Sequence, residues 1–201
     1  MIFIVSYLQK ENIDHFLELD RAFYKKEYWV SKEATLDRIN RNHCTDITVM
    51  HNNKMVGYIS LCPVSQNVFT QILTNTISEE EIEGHTIPYN KVGHYLAYLS
   101  SIVIDKHSFP FFQGLYLFHY LQDHLNKLRK QGIFIDAIVA HAVSPAGHKT
   151  LQRFGFREVK PDLYICRASK SELTLISPHN HVYCVIIVSL LIICVALWRS
   201  A

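Results

Sequence analysis

His94-Tyr95-Leu96-Ala97-Tyr98-Leu99-Ser100-Ser101-Ile102-Val103-Ile104-Asp105 is the stretch on which the fold turns. Apolar residues fill it almost without interruption, which suits a central strand buried on both faces. After a loop, Gly114–Lys130 spaces Leu117, Phe118, Leu121, Leu125 and Leu128 at helical intervals, and Gly132 stops the helix. Residues 133–143 form a second buried run. Strand, helix and strand in this order imply a parallel pair joined by a right-handed crossover.

Downstream, residues 144–154 read as a short helix ending at Gly155. Residues 156–159 and 163–167 then read as a closing hairpin around Pro161-Asp162. Upstream, residues 2–8 form a first strand. Asn12 or Asp14 opens a helix carrying Ile13, Phe16, Leu17 and Leu19. Ser31 starts a second helix, with Leu36 and Ile39 on one face. Residues 46–50 and 55–61 are strands about a turn at His51-Asn52-Asn53-Lys54, and Pro63 is expected to end the second. Val68, Phe69, Ile72 and Leu73 suggest a short helix. Ser78 with Glu79, Glu80 and Glu81 caps an acidic one, read as a solvated first turn. The order β-α-α-β-β-(α)-β-α-β-α-β-β describes an α/β domain with a mixed sheet.

The bulk properties narrow the class. A chain of 201 residues has room for one domain and a short appendage. A net charge of +2 argues against an electrostatically driven nucleic-acid binder. The 12 histidines are scattered, and no two of Cys44, Cys62, Cys166, Cys184 and Cys194 form a Cys-x-x-Cys pair. That pattern suits a reducing compartment. His119 and Asp123 stand four apart but read as a solvated helix face, so no metal is expected. Neither a Gly-x-Ser-x-Gly elbow nor a Walker loop occurs.

Residues 182–198 carry no charge: Val-Tyr-Cys-Val-Ile-Ile-Val-Ser-Leu-Leu-Ile-Ile-Cys-Val-Ala-Leu-Trp. As a helix they span about 26 Å, the short end for a bilayer core of about 30 Å. Tyr183 and Trp198 lie near the ends, where amphipathic aromatics favour the interface. The run reads as a single transmembrane helix, preceded by a polar linker at 169–181. It leaves the folded part on the cytoplasmic side as a single-pass, tail-anchored membrane protein.

The element order and two motifs resemble the GCN5-related N-acetyltransferase superfamily over residues 1–168. The first motif is Ser144-Pro145-Ala146-Gly147-His148-Lys149-Thr150-Leu151-Gln152-Arg153-Phe154-Gly155-Phe156, a strand entering a short helix that ends in Gly-Phe. The second is Met55-Val56-Gly57-Tyr58-Ile59-Ser60, similar to the family's Val-Gly-Tyr/Phe strand. The resemblance implies an acyl-CoA N-acyltransferase fold, with acetyl-CoA as co-substrate in a wedge between two splayed parallel strands. It implies pantetheine contacts from Ile102, Val103 and Ile104. It also implies pyrophosphate contacts from Gln113, Gly114, Leu115 and Tyr116, where a helix N-terminus offers free amides. The loop departs from the family's Arg/Gln-x-x-Gly-x-Gly/Ala. One glycine remains: with Gln113-Gly114 as the start of the motif, Tyr116 and Phe118 stand where small residues are usual, and with Gly114 as its middle glycine, Phe111 replaces the arginine.

Such an enzyme must hold a thioester beside an amine, take a proton from an ammonium group and stabilise an oxyanion. A strand amide such as that of Val103 serves the last need. The family's tyrosine acid falls at Leu151 and is missing. Tyr98, Ser100 and His141 on the two central strands are the candidates for proton handling, with His94 at the entry. Core packing for Tyr98 and a hydrogen-bonded core role for His141 remain open, and Asp105 reads as a strand-end cap. Two functions follow. One is an N-acetyltransferase acting on the amine of a small-molecule or protein acceptor. The other is a binding or sensing module of the same fold without turnover.

Overall fold

Ser31, Ser65, Ser78 and Ser144 each accept a backbone amide in the first turn of a helix, and so fix where four helices begin. The computed structural model describes residues 3–105 and 114–167. The expected linker and tail helix at 169–198, and Gln113, lie outside the described residues. Among the described residues no helix is long and apolar enough to cross a membrane.

The elements are β1 (Ile4–Tyr7), α1 (Ile13–Phe23), α2 (Lys32–Arg41), β2 (Asp46–His51), β3 (Lys54–Val64), α3 (Gln66–Thr74) and α4 (Glu79–Gly84). They continue with β4 (Gly93–Ile104), α5 (Gly114–Lys130), β5 (Ile133–His141), α6 (Pro145–Arg153), β6 (Arg157–Lys160) and β7 (Leu163–Arg167). One sheet orders the strands β1-β2-β3-β4-β5-β7-β6. Every neighbouring pair is antiparallel except β4 and β5, the parallel pair expected from the strand–helix–strand unit. Asn52 and Asn53 both take positive φ between β2 and β3, the geometry of a tight hairpin turn. Gly132 ends α5 at φ +78°, and a Cβ there would meet Val92 Cγ1 at 2.8 Å.

Helices cover both faces. Phe118, Leu121, Leu125 and Leu128 of α5 pack with Leu151 of α6 and Phe154 just after it against Ile59, Leu61, Leu99 and Ile138. On the other face α1 and α2 bring Ile13, Phe16, Leu17 and Ile39 onto Tyr58 and Val103. Beside them Val68, Phe69 and Ile72 of α3 meet Tyr98 and Val139.

Pro63 does not end β3. The strand runs on to Val64, with Pro63 opposite Ala97. Beyond Ser60 the β2 side is no longer paired as a strand. Leu61 donates to the Thr45 carbonyl on that side, and the Pro63 carbonyl two residues on accepts from Ile87. The missing proline N–H therefore faces a side with no ladder, and costs no strand hydrogen bond.

One irregularity in β4 shapes the end of the strand. Ser60 pairs with Ser101 and Leu61 with Leu99, so Ser100 is an extra residue in β4. Leu96 and Tyr98 face α3 before it, whereas Val103 faces α1 after it. Ile102 and Ile104 correspondingly turn to Leu117 of α5. A bulge reverses the alternation and bends the strand.

Candidate active site

The bulge coincides with a parting of the two parallel strands. β4 and β5 pair from Gly93 with Ile133 to Leu99 with Ala140, and no further. Beyond that point β4 stays with β3 as far as Ile104, while His141 stays with Leu163 of β7. A wedge opens between them, leading into a cavity of about 980 Å³. Its walls are Tyr98–Ile104 of β4, Ala140–Ser144 at the end of β5, the first turns of α6, and an aromatic segment between α1 and α2.

The three candidates for proton handling meet here. The Tyr98 hydroxyl lies 3.3 Å from Nδ1 of His141, with their rings edge to face at 5.9 Å. Ser100 sits at the bulge, and its buried Oγ has no hydrogen-bond partner among the described residues. All three line the cavity. His94 does not join them. It is exposed at the opposite end of β4 and pairs with Asp136 at 2.8 Å. Asp105 is held by Lys54 at 2.9 Å.

The candidate cofactor residues divide. Ile102, Val103 and Ile104 line the wedge. Asp105 donates its amide to Val56 of β3, so by strand alternation Val103 also turns its amide to β3. The amides of Ile102 and Ile104 face the open side, and these, not that of Val103, are placed to pair with a ligand. Gly114, Leu115 and Tyr116 begin α5, where Tyr116 is 48% exposed. Phe118, noted as bulky for a phosphate loop, is buried and stacks on Phe154 with ring centroids 3.5 Å apart. It belongs to the core. Leu151, where a tyrosine acid would stand, is buried against the same cluster. On α6, Lys149 and Arg153 line the cavity and bring cations to it.

The sequence reading missed a second set of side chains. Asp20 lines the cavity at 3% exposure and accepts a hydrogen bond from the Tyr58 hydroxyl. Burial, first, pushes its carboxyl above the usual range, against the lowering pull of Tyr58. The Tyr58 hydroxyl is likewise raised, by burial and then by the Asp20 charge. Arg38, fully buried, donates to both oxygens of Asp46 and to Glu83. Burial disfavours its charge, but Asp46 and Glu83 outweigh that and hold it protonated. Ser60 and Thr45 complete the Asp46 carboxylate. A signal for Asp20 was present: Ile13, Phe16, Leu17 and Asp20 form one helical stripe, and its last member is a carboxylate.

No family model matches the sequence, and no curated protein matches it. Solved structures do. The PaiA N-acetyltransferase from Thermoplasma acidophilum in complex with coenzyme A is 18% identical, with a TM-score of 0.53 over 82% of this chain and 97% of that one. The NatC complex bound to Gag peptide and CoA is 13% identical, with a TM-score of 0.57 over 84% of this chain and 100% of that one. The loading GNATL domain of CurA from Lyngbya majuscula is 15% identical, with a TM-score of 0.55 over 71% of this chain. This chain spans 65% of that domain's length. Together with the parted parallel pair, these likenesses identify the fold as that of the GCN5-related N-acetyltransferases.

Proposed function

We propose that the protein is an acetyl-CoA-dependent N-acetyltransferase. The observation that carries the reading is the parting of β4 and β5 beyond Leu99 and Ala140, with Tyr98 and His141 joined inside the opening. The wedge-facing amides of Ile102 and Ile104 pair with the pantetheine and polarise the thioester carbonyl. Lys149 and Arg153 offer charge to the phosphates. His141, oriented by Tyr98, takes a proton from the acceptor's ammonium group. The freed amine attacks the thioester carbon, so that a C–N bond forms, the C–S bond breaks and the thiolate leaves. The second nitrogen proton neutralises that thiolate through water, since Leu151 provides no acid. His141 then returns its proton to solvent.

Support also comes from coenzyme A in two of the similar structures and a peptide in one of them. The acceptor is read as an amine on a small molecule or a protein. The charge-free run at 182–198 supports a membrane anchor, with this site on the cytoplasmic side. Fusing the run to a soluble reporter tests it: a reporter that stays soluble overturns the anchor.

Titration calorimetry of the full chain in detergent with acetyl-CoA tests the main reading. Binding is expected, and no binding at millimolar acetyl-CoA overturns it. Leu151 favours a second reading, a binding module without turnover. Acetyl-CoA binding with no thiol release over any amine panel is the result that module gives.

A further inference from the structure

Acidic and basic groups do not balance beneath the segment between α1 and α2. The Arg38 guanidinium is already shared between Asp46 and Glu83. Among the described residues it is the only buried lysine or arginine. Asp20 is left over. One of its oxygens accepts from Tyr58, and among the described residues Oδ2 has no donor. A buried carboxylate without a counter-ion is costly, so such a group takes up a proton or waits for a cation.

The surroundings suit a cation. Asp20 lines the cavity together with Phe16, Tyr24, Tyr28 and Trp29. Ring faces on and beside this segment already attract guanidinium groups, Arg21 lying 5.6 Å from the Trp29 ring and Arg38 5.8 Å from that of Phe16 in α1. The groups that set the charge on Asp20 are Tyr58, Glu83, Arg38 and Arg21. Two are cationic, but Arg38 is committed to its own acids and Arg21 is exposed.

We propose that Oδ2 of Asp20 seats the positive charge of the acceptor, an alkylammonium ion, against the aromatic segment between α1 and α2. This rests on the reading of the cavity as an acetyl-transfer site and narrows its substrate class. Alkylammonium ions fit. Neutral arylamines and alcohols do not, because they bring no charge to the carboxylate.

The test uses the full chain in detergent and n-butylammonium chloride as probe, with sodium chloride at equal ionic strength and n-butanol as controls. Butylammonium is expected to bind and to shift the Asp20 carboxyl carbon resonance, while n-butanol does neither. In Asp20→Asn its affinity should fall about 10–100-fold, the loss of one hydrogen bond to a charged group. Acetyl-CoA binding in the same variant should be unchanged, which shows the wedge intact. Equal butylammonium affinity in Asp20→Asn and wild type overturns the inference. So does an unmoved Asp20 resonance in the wild type, a measurement that needs no variant to fold. Butylammonium binding without acetyl-CoA binding overturns the acetyl-transfer reading and leaves the cation seat standing.

Discussion

The two faces of the sheet have interiors of different kinds. Under α5 and α6 the filling is mostly hydrocarbon, with Phe118 stacked on Phe154 and two histidine–tyrosine pairs, His124 with Tyr7 and His148 with Tyr164. Under α1, α2 and α4 the filling includes Arg38, Asp46, Glu83, Asp20 and Tyr58. Burying charge is a poor way to gain stability, because desolvation offsets most of the attraction. The first face therefore acts as the support. The second gives up stability to hold a shaped, charged wall beside the wedge.

Arg38→Leu puts the greatest strain on this distinction. It strands Asp46 and Glu83 without their cation, and is expected to cost about 3–5 kcal/mol in urea unfolding at pH 7. The loss should shrink as pH falls, because protonation neutralises the stranded carboxylates. Leu121→Ala on the opposite face removes packing alone, at about 2–5 kcal/mol. Its cost should not vary with pH. If Arg38→Leu costs no more than a surface change, or if both losses follow pH alike, the two interiors are not different in kind.

His124 is the more deeply buried of the two histidines on the face under α5 and α6, and it gives a smaller effect. Its Nδ1 meets the Tyr7 hydroxyl at 2.9 Å, and Nε2 is buried without a partner among the described residues. Burial, helped by the charge of Lys127, pushes its pKa down from 6.5 to about 4. The folded value lies below the unfolded one, so the unfolded chain binds the proton more readily. Stability is then full above about pH 6.5 and falls as pH drops towards 4. The expected loss from pH 7.5 to 4.5 is about 2–3 kcal/mol from this group. His124→Phe should remove that part of the slope. An unchanged slope in the variant places the acid sensitivity on the charged face instead.

Periodicity made much of the fold legible and little of the site. The α5 boundaries, Gly114 and Lys130, are those read from its leucine spacing. The caps at Ser31 and Ser78 and the Asn-Asn turn were visible too, since they act through local backbone chemistry. The bulge at Ser100 was not. A continuous apolar run hides which face each residue takes, so a reversal of alternation leaves no trace in it. Pro63 was misread because a proline's effect depends on which side of the strand is paired. Asp20 and Arg38 were passed over because a charged residue on a helix is usually solvated, and only packing shows that these two are not. Tyr98, Ser100 and His141 could be named from their strands, but their meeting depends on the parting of β4 from β5.

The smallest effect separates stability from site. Ser144 accepts the Gly147 amide at 3.1 Å and starts α6; Ser65 accepts the Val68 amide at 3.3 Å and starts α3. The two caps do the same local work, so Ser144→Ala and Ser65→Ala should each cost about 1 kcal/mol in unfolding. Their places differ. Ser144 lies in the cavity wall just past the end of β5, whereas α3 packs with Tyr98 and contributes no residue to that wall. Loosening the first turn of α6 moves Ala146, Gly147 and Lys149, all of which line the cavity. Acetyl-CoA affinity should therefore weaken in Ser144→Ala and stay unchanged in Ser65→Ala. Equal affinity in the two variants means that the start of α6 is scaffold only, and that the cofactor is held by β4 without it.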